Sequence, residues 1–198
     1  MKALRPLLLQ GFLALTAGMS SAGAQAGNQQ YEPLAASVQA ALHAAVADQA
    51  PLDPSFQRSP ERARWLAEMS NRLARRIPDE AYRSELLRAV HYEATRAGLD
   101  PQLVLGLIQV ESGFKKYALS TAGARGYMQV MPFWIDTIGR PSDNLFHLRT
   151  NLRYGCTILR HYLDMEHGNL FRALGRYNGS LGPTGYPEAV LGAMRRWQ

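Results

Sequence analysis

The chain has 198 residues, 46% hydrophobic and 19% charged, and carries a net charge of +6, of which Lys2 and Arg5 supply two and leave +4. Its single cysteine, Cys156, excludes an intrachain disulfide, so stability must come from apolar packing. The basic balance suits anionic partners such as wall polymers, lipid headgroups or nucleic acid, yet no run of five or more basic residues occurs.

The first element is a targeting segment. Lys2 and Arg5 precede an apolar core, Leu7 to Ala17, followed by Ala22-Gly23-Ala24 and Ala24-Gln25-Ala26, both acceptable as cleavage sites. That is the layout of a secretory signal peptide over residues 1–26. Its core falls short of the roughly 20 residues that a membrane span requires. No cysteine lies near the cleavage sites to carry a lipid anchor. The mature chain is expected to be soluble and exported, to the periplasm or beyond. Its length suits one helical domain with a leading segment.

From Gly27 to about Pro54 an alanine-rich patch, Ala35 to Ala50, offers one helix without strong caps. Ser59-Pro60-Glu61 reads as a helix start, with Trp65, Met69, Leu73 and Ile77 recurring every four residues. Pro78 ends that helix and Asp79 opens the next, whose stripe is Tyr82, Leu86, Val90 and Ala94 and whose stop is Gly98. Asp100 and Pro101 then begin a helix in which Val104, Leu107, Ile108 and Glu111 share one face, with Gly113 as its stop. A loop of small residues, Ser120 to Gly126, leads to an apolar stretch from Met128 to Met131, with breaks at Pro132 and Pro141. Asn151 to His167 is a long amphipathic candidate, in which Cys156 reads as a small buried thiol. Asn169 to Tyr177 follows, then a loop marked by Gly179, Gly182, Pro183 and Gly185. Tyr186 to Trp197 closes the chain, with Ala189, Ala193 and Trp197 aligned. There is no internal repeat, and a two-stranded ribbon fits only near Leu119 to Gln129. The fold class is all-α, mostly helical.

Glu111 is the residue with chemistry to explain. It ends an apolar stripe at a helix C-terminus, and both circumstances disfavour the charged form. A carboxyl kept partly protonated near neutral pH is what a general acid needs. A helix-end glutamate turned to solvent is the ordinary alternative; Ser112-Gly113-Phe114 and the glycine-rich loop behind it favour the acid. Asp136, Asp143, Asp164, Glu166 and Glu188 all fall in polar or helix-surface contexts, so no second acid shares its setting. His43, His91, His147, His161 and His167 lack metal-ligand spacing. No phosphate loop, nucleophile-elbow serine or zinc-like cysteine pair occurs, so no metal and no cofactor is expected.

Glu111-Ser112-Gly113-Phe114, Gly123-Ala124-Arg125-Gly126-Tyr127-Met128-Gln129, Asn151 with Gly155, and Tyr177-Asn178-Gly179 stand in that order, with Leu99-Asp100-Pro101 leading. This series resembles the catalytic domain of the soluble lytic transglycosylase family (family 1 type), over about Glu85 to Trp197. The resemblance implies a lysozyme-like α fold in residues 81–198, with residues 27–80 as an N-terminal helical extension. It implies cleavage of the β-1,4 bond between N-acetylmuramic acid and N-acetylglucosamine in peptidoglycan. Glu111 would be the single general acid/base, the substrate N-acetyl group the nucleophile, and a 1,6-anhydro end the product. It further implies that Ser120 contacts the catalytic carboxyl and the N-acetyl region and that Gln129 hydrogen-bonds the sugar. Met131 would form an apolar wall, and the Tyr177 hydroxyl, with Asn178 beside it, would reach Glu111.

Two departures touch the subsites. Tyr127 stands where the family commonly has leucine, and Gly175-Arg176 where small apolar residues are usual; Arg176 could meet an anionic peptide stem or face water. The expected partners are glycan strands of peptidoglycan, with secretion, flagellar or pilus machinery as further candidates, around a monomer. Nucleic acid and a membrane anchor are not expected, since aromatic-basic clustering is lacking and the chain carries an export signal. Two alternatives stay open: a catalytically idle wall-binding or assembly protein, and a lysozyme-type muramidase.

Overall fold

The computed structural model describes residues 29–48 and 58–198; the signal peptide over 1–26 lies outside the described residues. Helices dominate: α1 (Ala36–Ala47), α2 (Pro60–Leu73), α3 (Glu80–Arg96), α4 (Pro101–Glu111), α5 (Phe133–Ile138), α6 (Leu148–Met165), α7 (Leu170–Tyr177) and α8 (Gly185–Arg195). Among the described residues no strand forms. The ribbon expected near Leu119 to Gln129 is reduced to isolated bridges, in which Arg125 pairs with Leu119 and with Val130. No described helix is long and apolar enough to cross a membrane.

Local chemistry sets most helix starts. Ser59 accepts a hydrogen bond from the Arg62 amide, Asp79 from Tyr82, Asp100 from Gln102 and Asn169 from Arg172. Each satisfies one amide that the first turn leaves without a partner. Pro60 and Pro101 sit where a missing N–H costs nothing. Gly98 and Gly113 adopt the left-handed conformation just past α3 and α4. α1 begins at Ala35 without a side-chain cap, so its tertiary contacts must hold it.

α4 is the centre of the core. Its apolar stripe is only part of its buried surface, because Leu103, Leu105 and Gly106 are buried as well as Val104, Leu107 and Ile108. A helix apolar on all sides must be enclosed, and α8 lies directly against it. A Cβ added at Gly106 would stand 2.6 Å from the Met194 backbone nitrogen, so only glycine permits this crossing. The buried side of α8 is Tyr186, Val190 and Ala193, followed by Trp197. Ala189, expected on that stripe, is exposed; the close contact at Gly106 rotates Val190 inward instead. α6 starts three residues before the expected Asn151, and packs against α1, α3 and α7.

One feature of the core runs against the expectation of a single buried acid. Glu93 on α3 is 0% exposed. Its carboxylate receives Arg153 Nη2 of α6 at 2.8 Å, Arg96 Nε at 2.9 Å and Arg149 Nη2 at 3.5 Å. Arg96 also donates to the Ala45 carbonyl at 3.0 Å, so the cluster ties α1, α3 and α6 together. Cys156 is buried close by, and burial first, then the Glu93 charge, pushes its thiol well above the usual range. It is a core residue rather than a nucleophile.

Candidate active site

Glu111 closes α4, 6% exposed, and its Oε1 accepts a hydrogen bond from the Tyr186 hydroxyl of α8. The Gly106 crossing makes this possible, because it sets the N-terminal part of α8 beside the last turn of α4. Burial, followed by the Glu111 charge and this hydrogen bond, raises the Tyr186 pKa well above its ordinary value. The phenol therefore keeps its proton and remains a donor throughout the neutral range.

The chain after Glu111 turns through three residues of unusual backbone. Gly113 and Phe114 have φ of 58° and 67°, and Gln129 has φ of 46°. For Phe114 and Gln129 this is a conformation that side chains disfavour, and it persists only where the surroundings enforce it. The Phe114 ring is buried edge-on to Trp197 at 5.4 Å. Gln129, 2% exposed, donates its side-chain amide to the carbonyls of Gly126 (2.8 Å) and Ala118 (3.1 Å). Its amide nitrogen thus braces the loop from inside.

Asn151 and Tyr177 explain why the loop holds its shape. Asn151, fully buried on α6, receives the Met128 amide at 2.8 Å and donates to the carbonyls of Arg125 and Leu145, both at 2.8 Å. The Tyr177 hydroxyl donates to the Met128 carbonyl at 2.8 Å. Met128 is therefore pinned on both sides, with its thioether against Gly155, where an added Cβ would meet the sulfur at 2.4 Å. Gly126 is equally constrained, since a Cβ there would stand 2.6 Å from the Leu145 carbonyl.

Two of the expected site residues have partners of their own here. Tyr177 does not supply the hydroxyl that bonds Glu111; Tyr186 does, while Tyr177 is spent on Met128. The Tyr177 hydroxyl nonetheless feels the carboxylate: after burial, the Glu111 charge is the next cause that raises its pKa. Ser120, expected beside the carboxyl, accepts from the Ala124 amide at 3.0 Å and closes the turn Ser120–Ala124. Met131 is half-buried against the core. Asn178 is buried, with its amide nitrogen donating to the Ser180 hydroxyl at 2.9 Å and its Oδ1 without a protein partner.

The two departures also resolve. Tyr127 places its hydroxyl 2.6 Å from that of Tyr82, joining the loop to α3, a polar link that leucine could not make. Arg176, still partly exposed, pairs with Glu166 and, at 3.3 Å, with Glu32. Arg172 and then Arg176 hold the Glu166 carboxyl below its ordinary range. Glu93 and Glu166 are thus buried but committed to arginines, and among the described buried acids Glu111 is the one set against a tyrosine hydroxyl; the Tyr154 hydroxyl donates in the same way to Asp143, which is only partly buried.

Residues 88–189 match the family model described as "Transglycosylase SLT domain". The chain is 48% identical over 48 residues to membrane-bound lytic murein transglycosylase C of Actinobacillus pleuropneumoniae, covering 24% of this chain and 13% of that protein. It is 37% identical over 81 residues to the transglycosylase of Enterobacteria phage PRD1, covering 41% and 29%. The matched region thus spans less than a third of either relative's own length. The X-ray structure of an inactive mutant of lytic transglycosylase Slt from Pseudomonas aeruginosa superposes with a TM-score of 0.51 at 19% identity, covering 85% of this chain and 38% of that one. This likeness identifies the helical, lysozyme-like fold.

Proposed function

The chain belongs to the transglycosylase SLT domain family, and from that premise we propose that it is an exported lytic transglycosylase of peptidoglycan, acting in the periplasm. It cleaves the β-1,4 bond between N-acetylmuramic acid and N-acetylglucosamine. The observation that carries this reading is the buried Glu111 carboxyl at the end of α4, held by the Tyr186 hydroxyl.

The chemistry follows from having one such group. Glu111 protonates the glycosidic oxygen as the C–O bond breaks, and the N-acetyl oxygen of the muramic acid covers the electron-poor anomeric carbon. The resulting Glu111 carboxylate is stabilised in a site of low polarity by the Tyr186 hydroxyl, which stays protonated. Glu111 then takes the proton of the sugar 6-hydroxyl, whose oxygen attacks the anomeric carbon and releases the N-acetyl group. The carboxyl is regenerated, a 1,6-anhydro ring remains, and no water is consumed. Glu93 and Glu166 are too strongly paired with arginines to act as a second carboxylate.

In this reading Met131 lies beside the sugar on the loop that Gln129 braces from inside and that Tyr177 pins through Met128, Ser120 shapes the turn, and Asn178 follows Tyr177 at the end of α7. Residues 81–198 are the catalytic unit, and residues 27–80 an extension that packs on it through α1 and α2. Replacing Tyr186 by Phe removes a hydrogen bond to a charged group, a loss of about 1.5–3 kcal/mol. Turnover is expected to fall about ten- to a hundredfold, with KM little changed because the hydroxyl does not touch substrate. Steady-state kinetics on soluble glycan strands check this.

A wall-binding assay run beside a turnover assay tests the enzyme reading itself. Release of soluble fragments from purified peptidoglycan is expected. Binding without turnover across several wall preparations would make the protein a binder.

A further inference from the structure

The segment before α1 is anchored on the loop that carries Gln129 and Met131. Gln29 is 4% exposed although it lies in chain without helix or strand. Its side-chain oxygen accepts from the Met131 amide at 3.2 Å and the Trp134 indole N–H at 3.1 Å. Its side-chain nitrogen donates to the Gln129 carbonyl at 3.4 Å. A primary carboxamide held by two N–H donors and one carbonyl presents the same pattern as the acetamido group of an N-acetylated sugar: one C=O to accept, one N–H to donate. The pocket belongs to the loop that follows Glu111. The pocket adjoins Met128, the residue before Gln129, and the Met128 carbonyl accepts the Tyr177 hydroxyl at 2.8 Å; after burial, the Glu111 charge is the next cause that raises the pKa of that hydroxyl.

The residues after Gln29 extend the contact across the site. The Tyr31 ring stands edge-on to Phe133 at 5.8 Å while remaining 62% exposed. Glu32 reaches Arg176 on α7 at 3.3 and 3.5 Å. The segment thus runs from α5 and the braced loop to α7. Its anchors are hydrogen bonds and an ion pair whose acid is half exposed, with little apolar burial at Tyr31 or Glu32. Such contacts hold a segment in place yet yield to a competing polymer.

We propose that Gln29 to Glu32 is an intramolecular plug, in which the Gln29 carboxamide fills the acetamido pocket beside Glu111 and must withdraw before a glycan strand binds. This rests on the lytic transglycosylase reading for the identity of the ligand. The plugged state lowers apparent glycan affinity by the fraction of molecules that are open, without altering the chemical step.

The test uses the exported chain carrying Gln29→Ala or Glu32→Arg. The first empties the pocket; the second sets like charges against Arg176 on the exposed rim and leaves the core untouched. Binding of an N-acetylglucosamine tetramer is followed by tryptophan fluorescence in a Glu111→Gln background, and KM and kcat on peptidoglycan strands in the otherwise native chain. Both variants are expected to bind the tetramer about tenfold more tightly and to lower KM by a similar factor, with kcat unchanged. Should Gln29→Ala fail to fold, Glu32→Arg decides alone. Unchanged or weaker binding in the folded variants overturns the plug and makes Gln29 a structural brace. Tighter binding without any turnover upholds the plug and overturns the catalytic reading, so the two failures are distinguishable.

Discussion

Glu111→Gln is expected to abolish turnover while leaving the fold and glycan binding nearly unchanged. Glutamine has the same shape, and its carbonyl oxygen can still accept the Tyr186 hydroxyl now bound to Oε1. It cannot deliver a proton. Loss of a general acid or base alone typically costs on the order of 100- to 10,000-fold. One carboxyl performs both proton transfers in the proposed reaction, so the loss should lie at or beyond the upper end. Exchanging a buried ionisable group for a neutral one is also expected to leave the melting temperature equal or higher, a common trade at catalytic sites. Retention of more than about a tenth of the wild-type rate, far above that range, would make another residue the acid.

Glu93→Ala is expected to be the most damaging single change to the fold. Glu93 is fully buried, and Arg153, which donates through both Nε and Nη2, is buried too. Removing the carboxylate leaves the Arg153 charge uncompensated in the core, which costs about 3–5 kcal/mol. At roughly 2–4 °C per kcal/mol for a chain of this size, the melting temperature should fall by about 6–20 °C. Glu93→Gln should fall between wild type and alanine, because it keeps a hydrogen-bond acceptor but no charge. Thermal unfolding followed by circular dichroism distinguishes the three. A loss below about 1 kcal/mol, typical of exposed pairs, would show the cluster to be solvated.

The features legible in the sequence are those fixed by neighbours along the chain. Ser59, Asp79, Asp100 and Asn169 mark helix starts because a capping side chain acts on amides two or three residues away. Glu111 could be placed on an apolar face because Val104, Leu107 and Ile108 precede it on the same helix. The Tyr186 contact was not legible. It spans 75 residues and depends on α8 touching α4 at Gly106, a crossing that no local spacing announces. Glu93 lay in view between Val90 and Ala94, and its three arginine partners were the missing signal, since two come from α6. Asn151 and Gly155 could be read only as motif residues; their role in pinning Met128 appears once α6 meets the loop. The left-handed Gln129 was equally hidden, because the carbonyls that hold it come from Ala118 and Gly126. Gln29 forms its contacts across a hundred residues or more, beyond any periodicity.

Glu111 serving as both acid and base, with the substrate closing its own ring, is the central claim, and the mass of the cleavage products tests it most directly. Purified peptidoglycan digested in heavy-oxygen water should yield muramic acid ends one water lighter than hydrolysis products, free of solvent oxygen. Hydrated reducing ends carrying the heavy oxygen would contradict the account and make the protein a lysozyme-type muramidase.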